Sequence, residues 1–432
     1  MTFLTRLNQR CDFKAQISEG ADTLLLDYFF DRSVACEGEA KSKYWQSMPD
    51  YLSCAGLNPY FVHIFVPDSK VRTLRAAKRF NSQNAVPSLF IDQLLGPADY
   101  ISAAGAMLSV FRIWLLNSKA ASPNTNDYEC MKSYREDELA RSLFGTVGAS
   151  HLLYNLAFHK LAEMSNRSGI RKLIYICEFQ GWESLLIKNF RSQEITTIGY
   201  CHSTLRLLDL RGYVTESDFP TNLGSLRPDT LAVHSKRDRD LAKNRASKAE
   251  IAMVESTRYK DIPDRLIGSG STGIEKILVV GGYSGAETSY LVAVCDELAA
   301  QDSHQLSFSF LSHPNATVFP ANFPVLDRHL ISEFTSVLSE YSVAVVAPET
   351  SGAMEAYLMG LPVITVARPG RLVASPVFGL PGVAVAQTSS ELSKCFDAQT
   401  ESPPNPQMYK LRPVVAHEGR FTLWSKLLKG RP

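Results

Sequence analysis

"VAVVAPETSGAMEAYLMGLPVITVA", residues Val343 to Ala367, reads as strand, tight turn, short helix, Gly turn and second strand. Its two apolar runs, Val343–Ala347 and Val363–Val366, show no polar alternation, as expected of strands covered on both faces by crossover helices. Thr350, Ser351 and Gly352 fall where the helix starts, at the carboxyl end of the first strand. A helix N-terminus presents free N–H groups and a partial positive charge, which suits a phosphate; plain capping by Ser or Thr is the alternative. Glu355 bears on that choice. A capping box puts the acid three residues after its Ser or Thr, but Met354 and Ala353 hold those places after Ser351 and Thr350. Gly352 as cap would leave only half a box, and an acid one turn into the helix is placed to accept hydrogen bonds from sugar hydroxyls.

Outward from this stretch the same alternation continues. Strands are expected at Thr23–Asp27, Phe61–Val66, Leu173–Cys177, Thr196–Tyr200 and Thr230–Val233 in the first half, and at Lys276–Val280 and Leu306–Leu311 in the second. Between them lie helical patterns such as Trp182–Phe190, with Trp182, Leu185, Leu186 and Phe190 on one face. Strands alternating with helices predict an α/β chain with parallel sheets. At 432 residues the chain is long for one core. The Gly/Ser-rich stretch "RLIGSGSTGIEK" (265–276) is the natural connector, and "TESPPNPQ" (400–407) a second break. The expected layout is an N-terminal Rossmann-like domain over 1–264, a linker at 265–275, a second Rossmann-like domain over 276–407 and a helical tail at 408–432 packing back on the first. The two domains face each other across a cleft. "KAASPNTND" (119–127) reads as a surface loop or insertion.

Lys and Arg number 45 against 44 Asp and Glu, so no overall field recruits nucleic acid or an acidic membrane. The eight cysteines are scattered without a Cys-x-x-Cys pair, which speaks against structural zinc. With no leader-like start, a reducing cytosol is the expected compartment. The most membrane-like run, Ala104–Leu116, is short and carries Arg112; about 20 apolar residues are needed to span. That leaves room for peripheral association only.

Two more signals fall at strand ends of the second half. "FSFLSHPN" puts His313-Pro314 after one strand, and "VVGGYSGAET" puts Gly281, Gly282 and Gly285 after another. The glycines lack the spacing of a dinucleotide fingerprint, yet let a ligand approach the backbone closely. Together with the opening stretch they resemble the donor domain of GT-B glycosyltransferases, in which two facing Rossmann-like domains hold a nucleotide sugar. The His-Pro and Thr-Ser pairs are similar to the HP and S/T motifs of bacterial transferases that use CMP-activated sialic acid or Kdo. The resemblance implies that His313, Pro314, Thr350, Ser351 and Gly352 hold the nucleotide phosphate, with Gly282 and Glu355 beside it.

In the first half, "EFQGWESLLIKNF" (178–190) and "TTIGYCHSTLRLLDLRGY" (196–213) place acids, His202 and arginines after two consecutive strands. With Tyr44-Trp45 and "ESTRYKD" (255–261) they resemble, in order and over most of the chain, a family of bacterial surface carbohydrate biosynthesis proteins thought to be transferases acting on O-antigen or capsule. Gly212-Tyr213 departs from that pattern, in which an aromatic directly follows the arginine.

Glycosyl transfer passes through an oxocarbenium-like transition state. An inverting enzyme needs a base for the acceptor hydroxyl and positive charge for the departing phosphate. Glu178, at a strand end, is the first candidate base, with Asp209 and His202 as alternatives. Glu183 falls in the first helical turn, where an acid favours the helix dipole. Arg206, Arg211 and Arg258 are either bidentate partners of a sugar carboxylate or phosphate, or solvated surface groups. Trp182 is either a platform for a sugar ring or a core residue. No Asp-x-Asp follows an apolar strand; Asp238 and Asp240 lie in a charged helix-like run that reads as solvated. No metal or other cofactor is therefore expected. The expected function is a cytoplasmic transferase of an acidic sugar from a CMP-activated donor to a glycan or lipid-linked glycan. The alternatives are a UDP-sugar transferase, a UDP-sugar 2-epimerase and a non-catalytic scaffold.

Overall fold

The computed structural model describes residues 17, 19–30, 42, 44–66, 88–117, 146–209, 211, 227–243, 249–259, 262, 276–301, 306–313, 318, 320–321, 323–326, 338–401, 413–414 and 420–429. The 119–127 loop, the 265–275 connector, Gly212-Tyr213 and Pro314 lie outside these residues.

Strands β1 (Thr23–Phe30), β2 (Pro59–Val66), β3 (Ser88–Phe90), β4 (Lys172–Ile176), β5 (Thr196–Tyr200), β6 (Thr230–Val233) and β7 (Glu250–Met253) form one sheet, ordered β3-β2-β1-β4-β5-β6-β7. All its pairings are parallel, from Thr23 opposite Pro59 to Val233 opposite Met253. A second sheet contains β8 (Lys276–Val280), β9 (Ser307–Leu311), β10 (Val343–Val346), β11 (Val363–Val366) and β12 (Val383–Ala386), ordered β12-β11-β10-β8-β9, again all parallel. Beyond β9, Val325 bridges Phe310, with Phe310 N–H donating to Pro324 and Leu326 N–H to Phe310. That short edge gives the second sheet the doubly wound order of the first. Both are Rossmann-like, and together they make the two-domain, GT-B-like α/β architecture.

The sequence explains why both sheets are buried. The Tyr175-containing strand β4 (KLIYI) and the Val-rich β8 (KILVV) and β10 (VAVV) are apolar at nearly every position. Their flanking helices are α1 (Met48–Cys54), α2 (Pro97–Asn117), α3 (Thr146–Arg167), α4 (Gly181–Arg191), α5 (Lys236–Lys243), α6 (Gly285–Gln301), α7 (Gly352–Leu358), α8 (Ser389–Glu401) and α9 (Thr422–Lys429). One face of the first sheet packs Leu24, Leu26, Leu173 and Tyr175 against Phe158, Leu161, Leu186 and Phe190 of α3 and α4. Its other face packs Leu25, Ile174, Ile176 and Tyr200 against Trp45, Met48 and Leu52, and against Phe421, Trp424 and Leu428. The second sheet is covered by α6 and α8 on one side and by α7 on the other. Among the described residues, no helix is long and apolar enough to cross a membrane.

In each sheet the strand order reverses beside the first strand, between β1 and β4 and between β8 and β10. Ligands of open α/β sheets bind at the carboxyl ends of strands at such switch points.

Candidate functional site

The turn after β4 is built around Phe179, a non-glycine residue at φ 56°. Such a conformation is uncommon for a bulky residue and persists only where its surroundings enforce it. Here Arg227 lies over the Phe179 ring at 5.6 Å, and Glu183 ties down both ends of the turn. Glu183 Oε1 accepts the N–H of Glu178 at 2.8 Å and of Gln180 at 2.9 Å, and Cys177 Sγ donates to Oε2 at 3.3 Å. Burial pushes the Glu183 carboxyl up to about 7, against the lowering effect of those N–H groups. Glu183 thus holds the turn.

Glu178, two residues past the end of β4, is exposed. Desolvation raises its carboxyl above the ordinary range, opposed by the charges of Arg211, Arg206 and Arg258. Tyr28, at the end of β1, and Tyr44 stand close enough for Glu178 to act on both phenols. Each is raised first by burial and then by that carboxylate. Their rings lie 6.1 Å apart, and Tyr44 meets the His202 ring edge-on at 4.9 Å. Trp182 is not a platform. It is 7 % exposed, packed against Tyr28, Phe158 and Tyr175 at 5.9, 5.8 and 6.5 Å, because α4 turns it inward.

The loop after β5 carries His202, Ser203, Arg206, Asp209 and Arg211. Its anchor is Asp238, fully buried on α5: Oδ1 accepts Leu205 N–H at 2.8 Å and Oδ2 accepts Ser235 Oγ–H at 2.6 Å. The expectation of a solvated Asp238 is corrected, since α5 presents Asp238 and Ala242, four residues apart, to the interior. Asp209 is committed to Arg211, which donates to it through Nε at 2.9 Å and Nη2 at 2.7 Å. Burial would raise the Asp209 carboxyl, but the Arg211 hydrogen bonds and charge hold it below the usual carboxylate range. That makes Asp209 a weaker base than Glu178.

In the second domain Ser351 caps α7 without a side-chain hydrogen bond, so its hydroxyl is not spent on capping. Thr350 is buried beside it. Glu349, which the sequence did not single out, is buried and accepts Ser284 N–H on Oε1 at 2.9 Å. Tyr283, 61 % exposed after β8, meets the His313 ring at 6.5 Å. Among the described residues, no three His, Cys, Asp or Glu side chains gather as a metal site.

Among the described residues, two arginines of the first domain hydrogen-bond to the second. Arg206 Nη2 donates to the Glu349 carbonyl at 2.8 Å. Arg258 reaches Glu355 Oε1 from both Nε and Nη2 at 2.9 Å, and Ser203 Oγ from Nη1 at 3.1 Å. Desolvation lowers the Arg258 guanidinium, but Glu355 and the neighbouring groups raise it further, so it stays charged. The carboxyl-end loops of both sheets therefore meet. Glu178, His202, Arg206, Asp209, Arg211 and Arg258 come from one side; Gly282, His313, Thr350, Ser351, Gly352 and Glu355 come from the other. Trp182 does not join them, since its ring packs in the core of the first domain. Tyr28, Tyr283 and Glu349 are the residues the sequence reading missed. Tyr28 and Glu349 each lie just past the expected strand or just before a flagged pair.

No family model matches the chain, and no curated protein matches it. Among solved structures it is similar to the glycosyltransferase SnogD from Streptomyces nogalater at 10% identity, covering 95% of this chain and 100% of that one with a TM-score of 0.49. It is also similar to UDP-GlcNAc 2-epimerase from Neisseria meningitidis, at 10% identity, 94% and 100% coverage and a TM-score of 0.49. For MurG of Acinetobacter baumannii the values are 9%, 90% and 92%, and 0.43. The fold stands on the chain's own strand order and register: two facing Rossmann-like domains in a GT-B-like arrangement.

Proposed function

We propose that the protein is a glycosyltransferase of surface polysaccharide synthesis, of the O-antigen or capsule kind. It moves an acidic sugar, sialic acid-like or Kdo, from a CMP-activated donor to a hydroxyl of a glycan or lipid-linked glycan. The observation that carries this reading is the meeting of two doubly wound sheets at their carboxyl ends, where Arg206 and Arg258 of one reach Glu349 and Glu355 of the other and Glu178 lies within reach of the charges of Arg206, Arg211 and Arg258. Glu178 takes the acceptor hydroxyl proton as the new anomeric C–O bond forms. The bond to the donor phosphate breaks on the opposite face, so the configuration inverts. Thr350, Ser351 and His313 receive the phosphate, with Gly282 beside them. The arginines neutralise the sugar carboxylate and the developing phosphate charge without a metal ion. The protein works in the cytoplasm, and Ile101 and Leu108 on α2, 74 % and 63 % exposed, support contact with the inner face of the membrane.

Titration calorimetry with CMP, UDP and GDP tests the donor. CMP is expected to bind most tightly. Preference for UDP would shift the assignment to a UDP-sugar transferase or 2-epimerase, and absence of binding by all three would leave a scaffold.

A further inference from the structure

Arg258 and Glu355 lie 97 residues apart, on different domains, and each has the chemistry of a ligand-binding group. Instead they bind each other. Both guanidinium nitrogens Nε and Nη2 converge on Oε1 at 2.9 Å, and Nη1 is fixed by Ser203 Oγ at 3.1 Å. The side chains are 23 % and 17 % exposed, so the pair is shielded from water but not sealed off. Glu355 sits on the first turn of α7, four residues past Ser351. Its carboxylate is the acceptor in this turn that vicinal hydroxyls of a ribose would take, and Arg258 already occupies it.

We propose that Arg258 determines donor specificity by competition: it blocks Glu355 until a ligand with paired ribose hydroxyls displaces it, and is thereby released to the donor's anionic group. The inference rests on the donor reading above. Two hydroxyls replace the two N–H groups on the carboxylate, so its hydrogen bonding is conserved through the exchange. The freed guanidinium, still tethered near Ser203, faces the phosphate or sugar carboxylate. A nucleotide lacking the 2′ and 3′ hydroxyls cannot compensate Glu355 for the lost arginine and leaves the pair in place. Ligand binding then shifts an equilibrium only by its differential affinity for the two pairings.

The sign of the Arg258 effect tests this. If Arg258 were a plain contact to the nucleoside or to the phosphate, its removal would weaken nucleoside binding or leave it unchanged. Under competition, R258M tightens binding of cytidine or uridine, which offer the ribose hydroxyls but no anionic group for the freed guanidinium, by at least about fivefold, the lower end of ordinary coupling between sites. The gain vanishes with the 2′,3′-dideoxy nucleoside. S203A moves affinity in the same direction by a smaller factor and guards against a misfolded R258M. E355Q loses the ribose preference. Calorimetry on the full chain reads all four. Weaker or unchanged ribonucleoside binding by both R258M and S203A, or equal gains with dideoxy ligands, overturns the inference while leaving the donor reading intact. Absence of nucleotide binding by wild type and variants alike removes the donor reading itself.

Discussion

The carboxylate of Glu349 stands where a side chain on Gly282 would have to go. A Cβ at Gly282 would lie 2.5 Å from Glu349 Oε1 and 2.7 Å from its Cδ, with the Ala347 side chain at 3.1 Å. Glu349 cannot swing aside freely, because it is buried and holds Ser284 N–H at 2.9 Å. The glycine after β8 is thus required by close approach. Gly282→Ala is expected to cost about 1–3 kcal/mol through overpacking and to weaken nucleotide binding about tenfold, roughly 1.4 kcal/mol. Chemical denaturation and calorimetry measure the two effects. An unchanged affinity would remove Gly282 from the nucleotide site.

Glu178→Gln tests the base. The amide keeps the shape of the site and cannot take a proton. Turnover is expected to fall by about 10²–10⁴, the range of general base catalysis, while nucleotide affinity stays near wild type. Burial raises the Glu178 carboxyl, so the acid limb of the wild-type kcat/KM profile lies above the range of a free carboxylate. Full turnover in the variant, or an acid limb at the ordinary carboxylate position, would refute the assignment. Asp209→Asn serves as the comparison, and its smaller effect should come through Arg211.

Much of this geometry was legible in the linear sequence because buried parallel strands write continuous apolar runs. Among the described residues, nine strands are where their runs lie. The three that escaped are edge or near-edge segments: Ser88–Phe90 is too short, while Glu250–Met253 and Val383–Ala386 are largely half-buried and lack a two-sided apolar signal. The site residues were legible as strand-end polar groups, but their partners were not. Arg258 and Glu355 gain meaning only when two domains meet, and no local spacing encodes that. Asp238 was misread because its neighbours are charged. The recurrence of Ala242 four residues later marked the inward face.

Asp238→Ala is expected to be more damaging than its position in a charged run suggests. It strips the acceptor from Leu205 N–H and Ser235 Oγ in a fully buried place. Each orphaned donor costs about 1–3 kcal/mol. The loop bearing Arg206 and Asp209 loses its anchor with them. Thermal unfolding should show the loss, and Asp238→Asn should recover part of it by keeping one acceptor oxygen. Equal stability of Asp238→Ala and wild type would contradict the anchoring role.

Glu183 should make stability depend on pH. Its folded-state value of about 7 lies above the 4.5 of a free glutamate, so the fold binds the proton more tightly than the unfolded chain does. Its contribution is complete below about 4.5 and is lost as pH rises through about 7. Glu183→Gln keeps an oxygen for the Glu178 and Gln180 N–H groups and removes the titration. Against wild type, the variant should gain on the order of 1–3 kcal/mol between those limits. Urea melts across this range give the difference, and a flat difference would rule out a buried titrating Glu183.

The tail helix supports the arginine that spans the domains. Glu255, three residues before Arg258, accepts Thr422 Oγ1–H at 3.0 Å and Leu423 N–H at 2.7 Å on Oε1, and Trp424 N–H at 3.1 Å on Oε2. Trp424 Nε1 donates back to the Glu255 carbonyl at 2.9 Å, and its buried ring meets Tyr200 edge-on at 5.0 Å. The helix start is thereby capped by a residue from the first domain. Trp424→Ala is expected to cost about 3–5 kcal/mol through the cavity, and Glu255→Ala about 1–2 kcal/mol through the lost cap. Both should also disturb Arg258, so ribonucleoside affinity should shift in the same direction as in R258M. Stability loss without any affinity change would show that the tail supports the fold but not the pair.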